Sequence, residues 1–210
     1  AVPMPMTGGA ARKPNAEWIA RIRARLEQNA VAMKGFTETR MLPVQLIRRY
    51  QIGLTLPSED RDYSDALAFP IFGFDGQPTN RYAYYSIPHV TTWKAGTKER
   101  KGWCRGHPTT YYATEVANRR ILVVAEGFKD LWSLIALLEG DPEMRDQILV
   151  ISGSHGCGNF PAEWKEPKFW EPWDAVYLAL DPDEPGTAAT QKLRSTIERD
   201  VKRLRVPDPL

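Results

Sequence analysis

Three short apolar runs in the second half of the chain predict strands that are buried on both faces. They are ILVVA (121–125), ILVIS (148–152) and AVYLAL (175–180). Helical periodicity follows the first run, where one stripe carries Phe128, Leu131, Trp132, Ile135 and Leu138. Apolar residues at four-residue steps then predict a last helix from about Gly186 to Leu204, with Ala189, Leu193, Ile197 and Val201. This alternation predicts a parallel sheet with right-handed crossovers.

The first half of the chain has a different pattern. Trp18, Ile22 and Leu26 recur at spacing four, which predicts a helix over residues 15–33 with Asn15 as its cap, and a second, short helix is expected at about 43–50. Between about 66 and 93, two apolar and aromatic runs flank Asp75-Gly76, which is typical of a hairpin. A loop rich in glycine and basic residues follows over 94–110.

The predicted fold class is α/β (α+β overall), with a C-terminal parallel-sheet domain preceded by a smaller mixed subdomain. Residues 1–14 are rich in small residues, proline and glycine and are expected to be a disordered linker. The N-terminal subdomain is expected to span 15–117 and the C-terminal domain 118–210.

Composition narrows the classes of protein. The chain has 210 residues, 42% of them hydrophobic, which is enough for a proper core. Its net charge is only +2, from 28 basic and 26 acidic residues, so a nucleic-acid partner must be held by local patches. The two cysteines are too few for a disulfide framework, and no apolar run approaches the roughly 18 residues of a membrane span. A cytoplasmic protein without membrane contact is expected.

Acidic residues stand where two of the predicted strands end. Glu126 directly follows ILVVA, Asp181 directly follows AVYLAL, and Asp183 lies two residues further on. Ligands of open parallel sheets gather at the carboxyl ends of the strands. Carboxylates without nearby histidine or cysteine suit a hard cation, so Mg²⁺ or Mn²⁺ is predicted here. The alternative for DPDEPG taken alone is a solvated acidic loop that caps the last helix.

Two of these segments resemble motifs of a known family. ILVVAEGFKDLWSLIAL is similar to the EGxxD segment of the Toprim fold, and LALDPDEPGTAATQKL is similar to its DxDxxG segment. SGSHGCGN stands where primases have a glycine-containing loop. Upstream, RYQIGLTLP and FPIFGFDGQPTNRYAYYS resemble the N-terminal subdomain of the polymerase core of DnaG-type primases. The resemblance therefore points to a Toprim-fold primase and covers about residues 45–204.

The resemblance implies a role for each acidic residue. Glu126 matches a metal ligand or general acid/base, Asp130 matches a supporting carboxylate, and Asp181 and Asp183 match a magnesium-binding pair. Pro182 and the Glu184-Pro185 pair depart from the usual small residues of the second motif. These departures are expected of a divergent version from a phage, plasmid or other mobile element.

The activity implied by the resemblance is that of a DNA primase. Such an enzyme makes short primers on single-stranded DNA from nucleoside triphosphates by divalent-metal-dependent nucleotidyl transfer, and it works with a replicative helicase, either fused or separate. Contacts with nucleic acid or nucleotide are expected from the basic residues of the hairpin, the loop after it and the first motif: Arg81, Lys94, Lys98, Lys101, Arg105 and Lys129.

Two other functions stay open at this point. A Toprim nuclease would use the same carboxylates for cleavage, and a catalytically degenerate primase-like module would bind DNA or a helicase without making primers. The tyrosines at 82–85 and Trp164, Trp170 and Trp173 could stack on bases, but core packing is the favoured interpretation. Cys104-x-x-His107 and His155-x-Cys157 lack the spacing of a zinc finger, so no zinc site is predicted.

Overall fold

The chain divides into two units, each built from helices and strands. The computed structural model describes residues 16–55, 63–73, 78–96, 98–99, 102–104, 110–112, 119–153, 159–197 and 200–204. The N-terminal unit consists of the described parts of residues 11–71 and 78–105, and the C-terminal unit consists of those of 72–77 and 106–210. No helix in these ranges combines the length and apolar character that crossing a membrane requires.

Helices open the N-terminal unit: α1 (Ala16–Gln28), α2 (Ala30–Lys34), a π-helical segment (Gly35–Thr39) and α3 (Gln45–Arg49). The predicted single helix over 15–33 is wrong in one respect, because Asn29 interrupts it. The side chain of Asn29 accepts a hydrogen bond of 2.9 Å from the backbone N–H of Ala32 and so caps α2. The short second helix was predicted correctly, with Leu46 and Ile47 buried. The expected cap, Asn15, lies outside the described residues.

Within the described residues, the strands of the N-terminal unit are β1 (Gly53–Leu54), β2 (Tyr63–Ser64), β3 (Leu67–Phe72), β4 (Pro78–Tyr85), β5 (Thr92–Trp93) and β6 (Gly102–Cys104). Strands β3 and β4 are neighbours in the sheet, as the hairpin pattern predicts, while the turn at 75–76 lies outside the described residues. The remaining pairs, β1 with β3, β4 with β6 and β2 with β5, are antiparallel. The helix α1 packs on β1 at Gly53, where an added Cβ would lie 2.5 Å from Ile22.

The C-terminal unit contains the predicted parallel sheet. Its strands are β7 (Thr110–Tyr112), β8 (Ile121–Ala125), β9 (Ile148–Gly153), β10 (Ala175–Ala179) and β11 (Val201–Arg203), in the order β11-β10-β8-β9-β7. The first four of this order are mutually parallel, and β7 is antiparallel to β9. The three strands predicted from apolar runs are confirmed as β8, β9 and β10. Strand β10 is fully buried on one face only, because Tyr177 on the other face is half-buried.

Helices α4 (Phe128–Leu138), α5 (Pro142–Gln147), α6 (Pro167–Trp170) and α7 (Glu184–Thr196) connect the strands of this unit, together with a 3₁₀ segment over Ala162–Lys165. Helix α4 was predicted correctly. The prediction that the last helix reaches Leu204 is wrong: α7 ends at Thr196, and Val201 lies in β11 opposite Val176 of β10. Ile197 and Val201 are both buried, so the four-residue apolar spacing reflects burial in two different elements.

Most of the aromatic side chains belong to the core. Trp164, Trp170 and Trp173 are 1–3% exposed, and each indole N–H donates to an oxygen of the same unit. In the N-terminal unit, Tyr82 is 6% exposed and meets Trp18 edge to face at 4.7 Å. Core packing, rather than stacking on bases, is therefore confirmed for these residues.

Candidate active site

Parallel pairing of β8 and β10 brings the two acidic segments to one edge of the sheet. The register places Ala125 opposite Ala179, so Glu126 and the 181–183 turn leave the sheet at the same edge. The backbone N–H of Asp181 donates a hydrogen bond of 2.9 Å to Oε2 of Glu126. The structure thus joins the two motifs through a direct contact between residues that are far apart in sequence.

Asp183 begins the helix that follows. Its backbone is extended, and its Oδ1 accepts a hydrogen bond of 2.8 Å from the N–H of Gly186, which makes it the cap of α7. The alternative interpretation of DPDEPG, a solvated acidic loop that caps the last helix, is therefore confirmed in its capping part. A carboxylate has two oxygens, however, and capping uses one of them.

Gly186 permits the acidic groups to approach one another. A Cβ at this position would lie 2.3 Å from the carbonyl oxygen of Asp181, and 3.0 Å from both Oδ1 of Asp183 and Oε2 of Glu126. Because Oδ1 of Asp183 and Oε2 of Glu126 both lie 3.0 Å from this Cβ position, the two oxygens are at most about 6 Å apart. Only glycine leaves room for this arrangement, since two of the three close contacts would press on carboxylate oxygens and the third on the backbone.

Burial and neighbouring charges both act on the carboxyl group of Glu126. Its pKa is raised above the ordinary value, first because burial disfavours the carboxylate. The hydrogen bond from the Asp181 N–H opposes this rise, and the negative charges of Asp181, Asp183 and Asp130 add to it. Three neighbouring carboxylates therefore act on Glu126 at this edge, an arrangement that a bound cation would stabilise.

Asp130 and Lys129 flank the site from the first turn of α4. The Nζ of Lys129 lies 3.5 Å from Oδ1 of Asp130, and the lysine side chain is 60% exposed. A Cβ on Gly127 would lie 3.6 Å from Oδ2 of Asp130, so this carboxylate folds back toward the strand end that carries Glu126.

A further residue of the site escaped the sequence analysis. Arg203, at the end of β11, donates from Nη2 to the carbonyl oxygen of Asp181 at 2.9 Å and to Oγ1 of Thr187 at 3.4 Å. The apolar spacing placed this residue in the last helix, where it would have no relation to the acidic turn. No local signal in the sequence points to the contact, because it depends on the pairing of β11 with β10.

The carboxylates fit a hard divalent cation by their chemistry. The acidic side chains of this edge supply carboxylate oxygens, and Glu126 and Asp183 each use one oxygen to accept a hydrogen bond from a backbone N–H and keep a second. No three acidic, histidine or cysteine side chains of the described ranges converge into a ready-made cage. Mg²⁺ does not require such a cage, because it is usually held by one or two carboxylates together with water and substrate phosphates.

The predicted basic contacts have varied surroundings. In the N-terminal unit Arg81 is half-buried on β4, and Lys94 and Lys98 are exposed. The other two basic residues of that loop, Lys101 and Arg105, lie outside the described residues, and so do three of the four residues weighed as zinc ligands: His107, His155 and Cys157.

No model of a protein family and no curated protein matches the sequence. Solved structures do match the fold. The chain is similar to a DNA primase domain from Pseudomonas aeruginosa (TM-score 0.64, 13% identity, 91% of this chain and 70% of that chain). It is also similar to a DnaG primase catalytic domain bound to single-stranded DNA (0.58, 16%, 90% and 68%). A third match is the primase fragment of the bacteriophage T7 primase-helicase protein (0.52, 15%, 80% and 64%).

These matches establish the fold. The chain has the α/β fold of DnaG-type primase catalytic cores, as its motifs predicted. It spans about two thirds of the length of those structures.

Proposed function

We propose that this chain is the catalytic core of a DNA primase, which makes short primers on single-stranded DNA by divalent-metal-dependent nucleotidyl transfer. The observation that carries the proposal is the contact between Glu126 and the 181–183 turn, at the carboxyl edge of a sheet with the DnaG-type fold. A solved relative of this fold has single-stranded DNA bound, which supports the choice of template.

Glu126, Asp181 and Asp183 are proposed to hold Mg²⁺ or Mn²⁺, with Asp130 as a supporting carboxylate. Glu126 and Asp183 would hold the ion at this edge of the sheet, since Oε2 of the first and Oδ1 of the second lie at most about 6 Å apart. When bound, such ions activate the primer 3′-hydroxyl and neutralise charge on the pyrophosphate leaving group.

The protein's own groups have positioning tasks in this proposal. The hydrogen bond from the Asp181 N–H keeps the Glu126 carboxylate at the strand end, and the cap of α7 keeps Asp183 on the same turn. Lys129, which is exposed beside the acidic residues, is suited to contact a nucleotide phosphate.

Template and nucleotide contacts are also proposed for the basic residues of the N-terminal unit. Lys94 and Lys98 are exposed, and Arg81, Lys101 and Arg105 complete the proposed set. A replicative helicase, fused or separate, is the proposed protein partner, and one structural relative is itself part of a primase-helicase protein.

A priming assay tests the proposal. Incorporation of labelled ribonucleotides on single-stranded DNA with Mg²⁺ or Mn²⁺ is expected for the parent and is expected to be lost in Asp181→Ala and Glu126→Ala. The matched control is Asp174→Asn, at the opposite end of β10, where the carboxylate lies 3.7 Å from Arg120 and far along the strand from the acidic turn. This control is expected to prime as the parent does.

The same assay distinguishes the other candidate activities. Cleavage of supplied DNA without incorporation, lost in the same variants, would replace primer synthesis with a nuclease activity. DNA binding without either reaction, in a protein that takes up no divalent cation, would indicate a module that lacks catalysis.

A further inference from the structure

Arg203 is the cation in closest contact with the acidic turn among the described hydrogen bonds and ion pairs of the site. Its Nη2 donates to the carbonyl oxygen of Asp181 at 2.9 Å. The N–H of the same residue donates to Oε2 of Glu126 at 2.9 Å. Asp181 is therefore held on both sides of its backbone, by an anion at the N–H and by a cation at the carbonyl.

The guanidinium is itself anchored. Both of its terminal nitrogens lie within reach of Oγ1 of Thr187, at 3.4 and 3.5 Å, on the first turns of α7. Its backbone lies in β11 opposite Leu178 of β10, the strand that ends in the acidic turn. One side chain thus connects the edge strand, the turn and the helix.

We propose that Arg203 is a positioning residue that orients the Asp181 carboxylate for a divalent cation by fixing the carbonyl of the same residue. This inference rests on the proposed function, since it assigns a role toward the metal used there. Arg203 contacts the backbone of the turn rather than the substrate, so its effect passes through Asp181.

Two physical effects of Arg203 on the cation have opposite signs. A positive charge beside the carboxylates repels a second cation, so its removal alone would tighten metal binding. Loss of the charge-assisted hydrogen bond frees the turn, so its removal would weaken metal binding. The direction of the change therefore distinguishes positioning from simple electrostatics.

Mn²⁺ titration, followed by the paramagnetic resonance of the free ion, measures the affinity of the whole chain without any turnover. We expect Arg203→Gln to bind Mn²⁺ about tenfold more weakly, in line with the loss of a hydrogen bond to a charged group. Arg203→Lys, which keeps a donor and the charge, is expected to recover most of that loss. Thr187→Val, which removes the anchor but leaves Arg203 in place, is expected to lose about threefold.

The matched control is Arg194→Gln. Arg194 also joins α7 to β11, through a 3.0 Å hydrogen bond from Nη2 to the carbonyl oxygen of Val201, but it has no contact with the acidic turn in the described structure. This variant also loses a hydrogen bond between α7 and β11, and it is expected to bind Mn²⁺ as the parent does. Thermal unfolding of each variant shows that the titrations are made on folded protein.

Amide hydrogen exchange at Asp181, measured by NMR in the presence of a chelator, tests the positioning without any metal. Exchange is expected to accelerate about tenfold in Arg203→Gln and to stay unchanged in Arg194→Gln. Equal or tighter Mn²⁺ binding by Arg203→Gln, or unchanged exchange at Asp181, would overturn the positioning role. A parent that binds no Mn²⁺ would instead overturn the proposed function, while the exchange measurement would still decide the role of Arg203.

Discussion

The backbone N–H of Asp181 donates to Oε2 of Glu126 at 2.9 Å, although 55 residues separate the two along the chain. This hydrogen bond joins the end of β8 to the end of β10, and it uses the glutamate as an acceptor. Glu126 therefore has a structural task, which needs only an oxygen, and a proposed chemical task, which needs a negative charge. The two tasks are separable by substitution.

Glu126→Gln is expected to retain the acceptor and lose the charge. Thermal stability should stay close to that of the parent, while primer synthesis falls by about 100-fold or more because the charge that faces the metal is gone. Glu126→Ala should lose both the stability of the turn and the activity. The control is Glu143→Gln on α5, an exposed glutamate outside the acidic site. Full activity of Glu126→Gln would contradict the proposed metal role.

Like Glu126, Asp183 has a structural task, as the N-cap of α7, and a proposed chemical task that needs its negative charge. Asp183→Ala should lower the free energy of unfolding by about 1 kcal/mol, because α7 loses its N-cap, whereas Asp183→Asn should keep the cap. Both variants should lose primer synthesis. Asp141 caps α5 through a 3.1 Å hydrogen bond from the N–H of Met144, so Asp141→Ala is the matched control. It should lose similar stability and keep its activity, and denaturant unfolding beside the priming assay checks both values.

Gly186→Ala is expected to displace the acidic turn. The added Cβ would lie 2.3 Å from the carbonyl oxygen of Asp181, a backbone atom that cannot move without carrying the turn with it. We expect a loss of about 1–3 kcal/mol in stability, typical of overpacking, together with strongly weakened Mn²⁺ binding. Gly140→Ala is the control, since its Cβ would come no closer than 3.4 Å to any neighbour. Unchanged Mn²⁺ affinity in Gly186→Ala would show that the turn tolerates the displacement.

The raised pKa of Glu126 predicts a pH dependence of stability. Above its ordinary value of 4.5 the unfolded chain loses this proton first, so the folded state binds more protons and the free energy of unfolding falls as pH rises through the raised pKa. Without metal, this contribution is fully present below pH 4.5 and lost above the folded-state pKa. Urea unfolding from about pH 4 to about pH 8 with a chelator should show the fall in the parent and a smaller one in Glu126→Gln.

Divalent cations should restore the free energy of unfolding that is lost as pH rises, because they bind the ionised carboxylates of the folded state. A concentration of Mg²⁺ about 100 times its dissociation constant is expected to add about 2.7 kcal/mol to the free energy of unfolding at neutral pH. The combined variant Asp181→Asn/Asp183→Asn should lack this stabilisation. A parent whose unfolding is insensitive to Mg²⁺ would contradict the metal site.

The salt dependence of DNA binding tests the proposed role of the N-terminal unit. Replacing Lys94 and Lys98 with alanine should reduce the slope of log affinity against log salt by about 0.7 for each phosphate of single-stranded DNA that the protein no longer neutralises. Lys34→Ala is the control, because this exposed lysine lies 3.5 Å from Glu38 on the same helical face. A slope that does not change in the double variant would remove these two lysines from the interface.

Local patterns determined the centre of the C-terminal unit. The apolar runs at 121–125 and 148–152 and the helical stripe that begins at Phe128 were sufficient to predict β8, β9 and α4, since a strand buried on both faces has no polar positions to confuse the pattern. Parallel strands end at one edge, so the positions of Glu126 and Asp181 directly after two runs also predicted that these acids meet.

Other features depended on contacts between distant segments. Burial requires an apolar residue in a helix and in an edge strand alike, so the spacing of Ile197 and Val201 could not reveal that the chain leaves α7 and pairs beside Val176. The hydrogen bond of Arg203 with Asp181 follows from that pairing, so the sequence pattern could not predict it either. The sequence by itself determined which acidic residues lie at this edge. Only the tertiary structure decided what holds them there, because the pairing of an edge strand depends on the neighbouring strand and leaves no pattern in the segment itself.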